Sequence, residues 1–261
     1  MDFHLIIISV IEGLTEFLPI SSTGHLIIAG HLMQVDLADP YIKFYLLFIQ
    51  LGALLAGVVL FSKRILTDKK TFINVLVSFI PTAILGFVLY KLFKHLLEGN
   101  MILLASMLIL GGVIFMYLEQ VFMKKHALKS GEFGKEDISI KDAVVIGVAQ
   151  AAAMVPGVSR SGATIIAGIL RGIKKASIIE YTFLLALPTL GAAVLYDIYK
   201  SKDVFAQIGS YQDLIMGFTV AFVVGVATLR ILKKYLPKIS LTHFGWYRIA
   251  LGIIVILIFV I

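Results

Sequence analysis

Two short polar islands interrupt an otherwise apolar chain, and between them they hold the groups that phosphoryl transfer requires. The first runs Glu12-Gly-Leu-Thr-Glu16-Phe-Leu-Pro19-Ile-Ser21-Ser22-Thr23-Gly24-His25, the second Pro156-Gly157-Val158-Ser159-Arg160-Ser161-Gly162-Ala163-Thr164. Glu12 and Glu16 stand four residues apart, so on a helix they share one face. Carboxylates that close in a poorly solvated place resist double ionisation: one keeps a proton, or a cation neutralises both. Mg2+ or Ca2+ suits the second case, because hard cations take oxygen ligands and Mg2+ commonly joins one or two carboxylates to a substrate phosphate. A structural, hydrogen-bonded carboxylate pair is the competing reading. Ser21, Ser22 and Thr23 follow the break at Pro19. Any one of them alone would be an N-cap, but three followed by Gly24 make a cradle of hydroxyls and free N–H groups fit for phosphate. Ser159, Ser161, Gly162 and Thr164 repeat the device in the second island. Arg160 carries a permanent charge whose planar fork matches phosphate oxygens. Without substrate it would pair with Glu12 or Glu16. His25, one turn into its segment, can serve as nucleophile or as general acid and base.

The elements that must position these residues belong to a membrane protein. Of 261 residues 59% are hydrophobic and 15% charged, with a mean hydropathy of +0.98, beyond what a soluble surface requires. Ionisable groups at such depth are a mark of function. Six apolar runs reach the roughly 20 residues a spanning helix needs, at about 41–62, 72–93, 101–123, 178–199, 211–232 and 244–261. Residues 3–33 and 140–172 break in the middle and leave arms too short to span. They are expected to be re-entrant helical hairpins, whose turns are tolerated only around an enclosed, watered cavity. The chain has no cysteine, which excludes thiolate catalysis, disulfides and thiolate metal sites. Its start, Met1-Asp2-Phe3-His4, lacks a basic leader, so the first apolar segment is expected to stay in the mature protein. A net charge of +7 could point to nucleic acid, but the basic residues fall in short loops between apolar runs, so no nucleic-acid partner is expected.

A constant offset lays Ser21 on Ser159, Thr23 on Ser161, Gly24 on Gly162 and Leu46-Leu47 on Leu184-Leu185. The expected fold is therefore an all-α polytopic membrane protein with inverted repeats, each a re-entrant hairpin plus three transmembrane helices, because an odd number of crossings turns the second copy over. Repeat 1 covers 1–123, a cytoplasmic linker 124–139 and repeat 2 140–261. One face collects sixteen Lys and Arg against five on the other, which marks it as cytoplasmic and puts both termini outside. Gln50, Gln150, Glu119, Glu180 and Asp197 lie in or near helix ends and read as structural. Trp246, Tyr247 and Arg248 read as an interfacial anchor.

On Glu12-x-x-x-Glu16, Phe17-Leu-Pro-Ile-Ser-Ser-Thr-Gly-His25 and Pro156-Gly-Val-Ser-Arg-Ser-Gly-Ala-Thr164, the chain resembles the undecaprenyl-pyrophosphate phosphatase family of bacterial membrane enzymes, also called the bacitracin-resistance protein family. The resemblance covers essentially the full chain; Val158 is a minor departure. It implies hydrolysis of undecaprenyl pyrophosphate to undecaprenyl phosphate and inorganic phosphate, which recycles the lipid carrier for cell-wall polymers and gives bacitracin resistance. It implies catalytic roles for Glu16, Ser22, His25 and Arg160, substrate binding by Glu12, Ser21, Thr23, Ser159, Ser161, Gly162 and Thr164, and Mg2+ or Ca2+ on Glu12 and Glu16. It implies a plasma-membrane setting among lipids with the site open to the outer face, and it leaves a homodimer open. Serine, His25 or water remains as the attacking group.

Two other classes compete. A lipid-phosphate transporter could use the same inverted repeats and cradle, with the carboxylates and His25 coupling to protons or cations. Acid-phosphatase-like lipid phosphatases need Lys-x6-Arg-Pro and Ser-Arg-x5-His. Here no Arg-Pro occurs, and Ile166 stands where that histidine would follow Ser159-Arg160.

Overall fold

The computed structural model describes residues 2–97, 100–123, 134–200 and 211–260, with backbone alone for 89–97 and 122–123. The described residues are helical, apart from turns and one bridge between Lys135 and Ile173. The expected linker lies mostly outside them, at 124–133. The first half runs α1 (Phe3–Thr15), α2 (Ser22–Leu32), α3 (Pro40–Thr67), α4 (Lys69–Leu97) and α5 (Met101–Tyr117), the last prolonged by a π turn, Leu118–Met123. The second half runs α6 (Ile140–Ala151), α7 (Arg160–Leu170), α8 (Lys175–Lys200), α9 (Tyr211–Tyr235) and α10 (Leu241–Phe259).

Length sorts these helices into two kinds. Six are long and apolar enough to cross a membrane: α3, α4, α5, α8, α9 and α10. The four of 11 to 13 residues are not; at about 1.5 Å per residue they fall well short of a hydrocarbon core of about 30 Å. They pair as α1 with α2 and α6 with α7, so both broken stretches are helical hairpins. Local chemistry sets where the helices start. Asp39 accepts from the N–H groups of Tyr41 and Ile42 ahead of Pro40, and Ser139 and Asp142 form a reciprocal capping box at the start of α6.

Contacts between the halves obey an exchange rule. α1 packs on α9 as α6 packs on α4, α3 meets α9 as α8 meets α4, and α3 meets α8 and α5 meets α10 across the middle. The two hairpins share two adhesives in different proportion. Asn74, Ser78 and Thr82, one stripe of α4 at helical spacing, donate to the carbonyls of Ile138, Ala143 and Gly147 at 2.7, 2.6 and 2.7 Å. Polar groups that would be costly in lipid thus become an adhesive for hairpin 2. On hairpin 1 the Tyr45 hydroxyl donates to the Leu5 carbonyl at 2.9 Å and meets Ser9 at 2.7 Å. Both hairpins also approach their neighbour closely: a Cβ on Gly13 would stand 2.8 Å from the Ala221 carbonyl of α9, and one on Gly147 would run into the Ser78 carbonyl of α4.

The α5–α10 seam is close and reciprocal. A Cβ on Gly112 would meet the Gly245 carbonyl at 2.6 Å, and one on Gly245 would meet the Gly112 carbonyl at 2.7 Å. Helices gain most of their mutual attraction in lipid from such contact. Gly245→Ala is expected to lower the melting temperature in detergent and Gly245→Val to lower it further, by roughly 1–3 kcal/mol of overpacking. An unchanged melting curve for Gly245→Val would show that the seam is looser than described.

Candidate active site at the hairpin tips

The site forms where the two hairpin turns meet. Glu12 lies in the last turn of α1, and Glu16 follows its end with its N–H on the Glu12 carbonyl at 3.0 Å. The chain then turns through Phe17 to Ile20 and enters α2 at Ser21, whose φ is 72°. The second tip repeats this backbone: Gly157 has φ 91°, and Ser159, at φ 69°, caps α7. The two serine hydroxyls do the same work, accepting from the N–H groups of Gly24 at 3.5 Å and Gly162 at 3.2 Å. A positive φ at a residue with a side chain costs about 1–3 kcal/mol and persists only where the surroundings enforce it. Both tips carry that strain at the start of a short helix.

Arg160 joins them. Its guanidinium donates to a Glu16 carboxylate oxygen at 3.2 Å and to the Thr182 carbonyl at 3.1 Å. The other Glu16 carboxylate oxygen accepts from Ser22 at 2.8 Å. One carboxylate therefore links a permanent cation from one hairpin to a hydroxyl from the other. Glu12 is 1% exposed, and both its carboxylate oxygens lack a hydrogen-bond partner among the described residues.

The remaining hydroxyls mostly hold structure. Ser161 donates to the Leu18 carbonyl at 2.9 Å, stitching tip 2 to tip 1, and sits 3.2 Å from Ser159. Thr164 bonds back to the Arg160 and Ser161 carbonyls and meets Thr182 at 2.8 Å. Gly162 packs beneath the tip beside Ser159 and Phe115. Thr23 alone among the expected site hydroxyls is exposed at the rim.

Two residues read from sequence as an interfacial anchor belong to the site instead. Arg248 is 1% exposed and donates to the carbonyls of Pro19, Met107, Gly157 and Val158 at 3.3, 3.1, 2.8 and 3.3 Å. It ties both hairpin turns to α5 and α10. Tyr247 places its hydroxyl 2.6 Å from Nε2 of His25, whose Nδ1 lies 2.8 Å from the Ser21 carbonyl. Only Trp246, 59% exposed, keeps the character of an anchor. The signal for Arg248 was available, since a second arginine in an apolar run falls under the rule that singled out Arg160. For Tyr247 there was none, because its partner is distant in the chain. Of the polar residues read as structural, Gln150 is buried and donates to Thr82 and Thr189, both at 3.0 Å.

Geometry of this kind can bind and polarise a phosphate ester or anhydride: a hydroxyl on a carboxylate, a guanidinium beside it, and a second carboxylate with free oxygens. Comparison with known proteins agrees. Residues 5–254 match the profile of "Bacitracin resistance protein BacA". Proteins named undecaprenyl-diphosphatase from Aquifex aeolicus, Campylobacter hominis and Wolinella succinogenes are 39%, 41% and 42% identical to the chain over 253, 248 and 253 residues. These alignments cover 97%, 95% and 97% of this chain and 96%, 95% and 96% of those proteins. At that coverage and identity, with both polar islands assembled into one pocket of charge, the chain belongs to the bacitracin resistance protein BacA family.

Proposed function

We propose that this chain is a multi-pass membrane phosphatase that hydrolyses undecaprenyl pyrophosphate to undecaprenyl phosphate and inorganic phosphate. That reaction returns the lipid carrier to cell-wall polymer synthesis and gives bacitracin resistance. The observation that carries the reading is the Ser22 hydroxyl on one oxygen of Glu16 with Arg160 on the other. In this arrangement Glu16 takes the proton of Ser22 as the serine oxygen attacks the terminal phosphorus. The bond to the bridging oxygen breaks, and undecaprenyl phosphate departs. Water then cleaves the phosphoserine and releases phosphate. Arg160 faces the phosphoryl oxygens that gain charge, and its bond to the Thr182 carbonyl fixes its direction.

The orphaned oxygens of Glu12 fit a hard cation, whereas both oxygens of Glu16 are engaged. Glu12 would hold Mg2+ or Ca2+ with Glu16 beside it, and the ion when bound supplies positive charge to the pyrophosphate. Mg2+ commonly keeps waters and substrate oxygens in its shell, so one or two carboxylates suffice to hold it. Ser21, Thr23, Ser159, Ser161, Gly162 and Thr164 shape the cradle around it, mostly through backbone geometry.

A groove of about 560 Å³, walled by Leu14, Leu18, Ile231, Phe244 and Tyr247, runs from α1 between α9 and α10 to the hairpin 1 turn. Its lining suits a prenyl chain whose head sits at the tips. The excess of Lys and Arg in the loops on one face supports a cytoplasmic reading of that face. With the two halves in opposite orientation, hairpin 1 enters from outside, and the site opens through the rim at Thr23 and Tyr247.

In detergent, Glu16→Gln, Ser22→Ala and Arg160→Lys are each expected to slow phosphate release from farnesyl and undecaprenyl pyrophosphate by about 10²–10³-fold. Substrate binding without phosphate release by the wild type would favour lipid transport over hydrolysis. Chelation is expected to abolish turnover, and Glu12→Gln to raise the Mg2+ concentration that restores it. Restoration at the wild-type concentration would remove Glu12 from the metal site.

A further inference from the structure

His25 has both ring nitrogens engaged. Nδ1 is 2.8 Å from the Ser21 carbonyl, an atom that can only accept, so Nδ1 carries the proton. Nε2 is then a bare lone pair in the neutral ring, and the group 2.6 Å from it is the Tyr247 hydroxyl, which donates. The ring planes are 7° from parallel with centroids 5.6 Å apart, so with the hydroxyl on Nε2 the two rings meet edge to edge. Two hydrogen bonds at opposite ends of the imidazole thus set its rotation. Tyr247 approaches from α10, at the far end of the sequence, and is 45% exposed at the same rim through which the site opens.

We propose that Tyr247 is the positioning residue for His25: its hydroxyl holds the Nε2 lone pair toward the entrance, at the opposite end of the ring from the Ser21 carbonyl. This rests on the phosphatase reading above for its consequence in turnover, though not for its geometry. Ser21, strained at the hairpin tip, fixes the tautomer; Tyr247 fixes the direction. A histidine held in this way accepts a proton from water at Nε2 and returns it through the same atom. As base toward the water that cleaves the phosphoserine, it takes the proton leaving that water at Nε2 while the water oxygen bonds to phosphorus, the bond from phosphorus to the Ser22 oxygen breaks, and Glu16 returns its proton to that oxygen. The Tyr247 hydroxyl yields its place to that water, so it orients the ring before the water arrives.

The test pairs a spectroscopic measurement with a mutant cycle. Nitrogen NMR of histidine-labelled protein, assigned with His25→Gln, is expected to show His25 protonated at Nδ1 and bare at Nε2, with the Nε2 resonance moving in Tyr247→Phe. Kinetically, Tyr247→Phe, which removes only the hydroxyl, is expected to lower kcat roughly 10- to 100-fold with little change in KM, and Tyr247→Ala to lower it at least as far. Combined with His25→Gln, Tyr247→Phe is expected to add nothing, because its whole effect passes through the imidazole. A proton on Nε2, a fully active Tyr247→Phe, or losses that multiply in the double variant would each overturn the proposal. Absence of phosphate release in the wild type would strike the phosphatase reading instead, and the NMR result would still decide whether Tyr247 holds the ring.

Discussion

Everything at the centre of this protein depends on the ion pair between Arg160 and Glu16. Neither charge reaches bulk water: their side chains are 10% and 5% exposed. An isolated charge in that position would cost several kcal/mol, and removing one partner of a buried pair typically costs about 3–5 kcal/mol because the other is left uncompensated. The pair therefore forces the two hairpins to meet. It comes with a consequence for chemistry, because a guanidinium already desolvated and aimed needs little reorganisation when phosphate oxygens gain charge.

Arg248 secures the same meeting by a different route. Among the described residues it pairs with no carboxylate; four carbonyls, drawn from hairpin 1, hairpin 2 and α5, surround its guanidinium. Carbonyl dipoles that would be left without donors at a broken backbone are thereby satisfied by one side chain. That solution also explains how Ser21 and Ser159 persist at positive φ. With the turns fixed from behind by Arg248 and from the front by Arg160, the strained residues have nowhere to relax. The glycine seam of α5 with α10 is what brings Arg248 close enough. A Cβ on Gly111 would run into the Arg248 guanidinium.

Much of this was legible in the sequence, for reasons that differ by feature. The six spans stand out because lipid demands an unbroken apolar run, and the hairpins because their arms are too short to be anything else. Helix ends were less visible: α3 continues to Thr67, beyond the apolar run that ends near Ser62, because a helix extends into the headgroup region without hydrophobic residues. Glu12, Glu16 and Arg160 stood out because charge in lipid has few innocent explanations, and Ser22 because it belongs to a run of hydroxyls at a helix start, more than one cap needs. Arg248 carried the same signal, but its neighbours Trp246 and Tyr247 matched the aromatic belt of a membrane surface and masked it. Asn74, Ser78 and Thr82 formed a polar stripe at helical spacing; what they hold, the backbone of α6, depends on the fold. Tyr247 beside His25 is tertiary in origin, a contact across most of the chain length that no local pattern encodes.

The most direct test of the central claim is a structure of the protein with a non-hydrolysable prenyl bisphosphonate and Mg2+. The account predicts the terminal phosphonate between Ser22 and Arg160, the ion on Glu12, and the prenyl chain leaving along the groove beside Phe244. A bisphosphonate bound at one hairpin alone, with Arg160 still directed only at Glu16 and turned away from it, would contradict the claim that the two tips are one site.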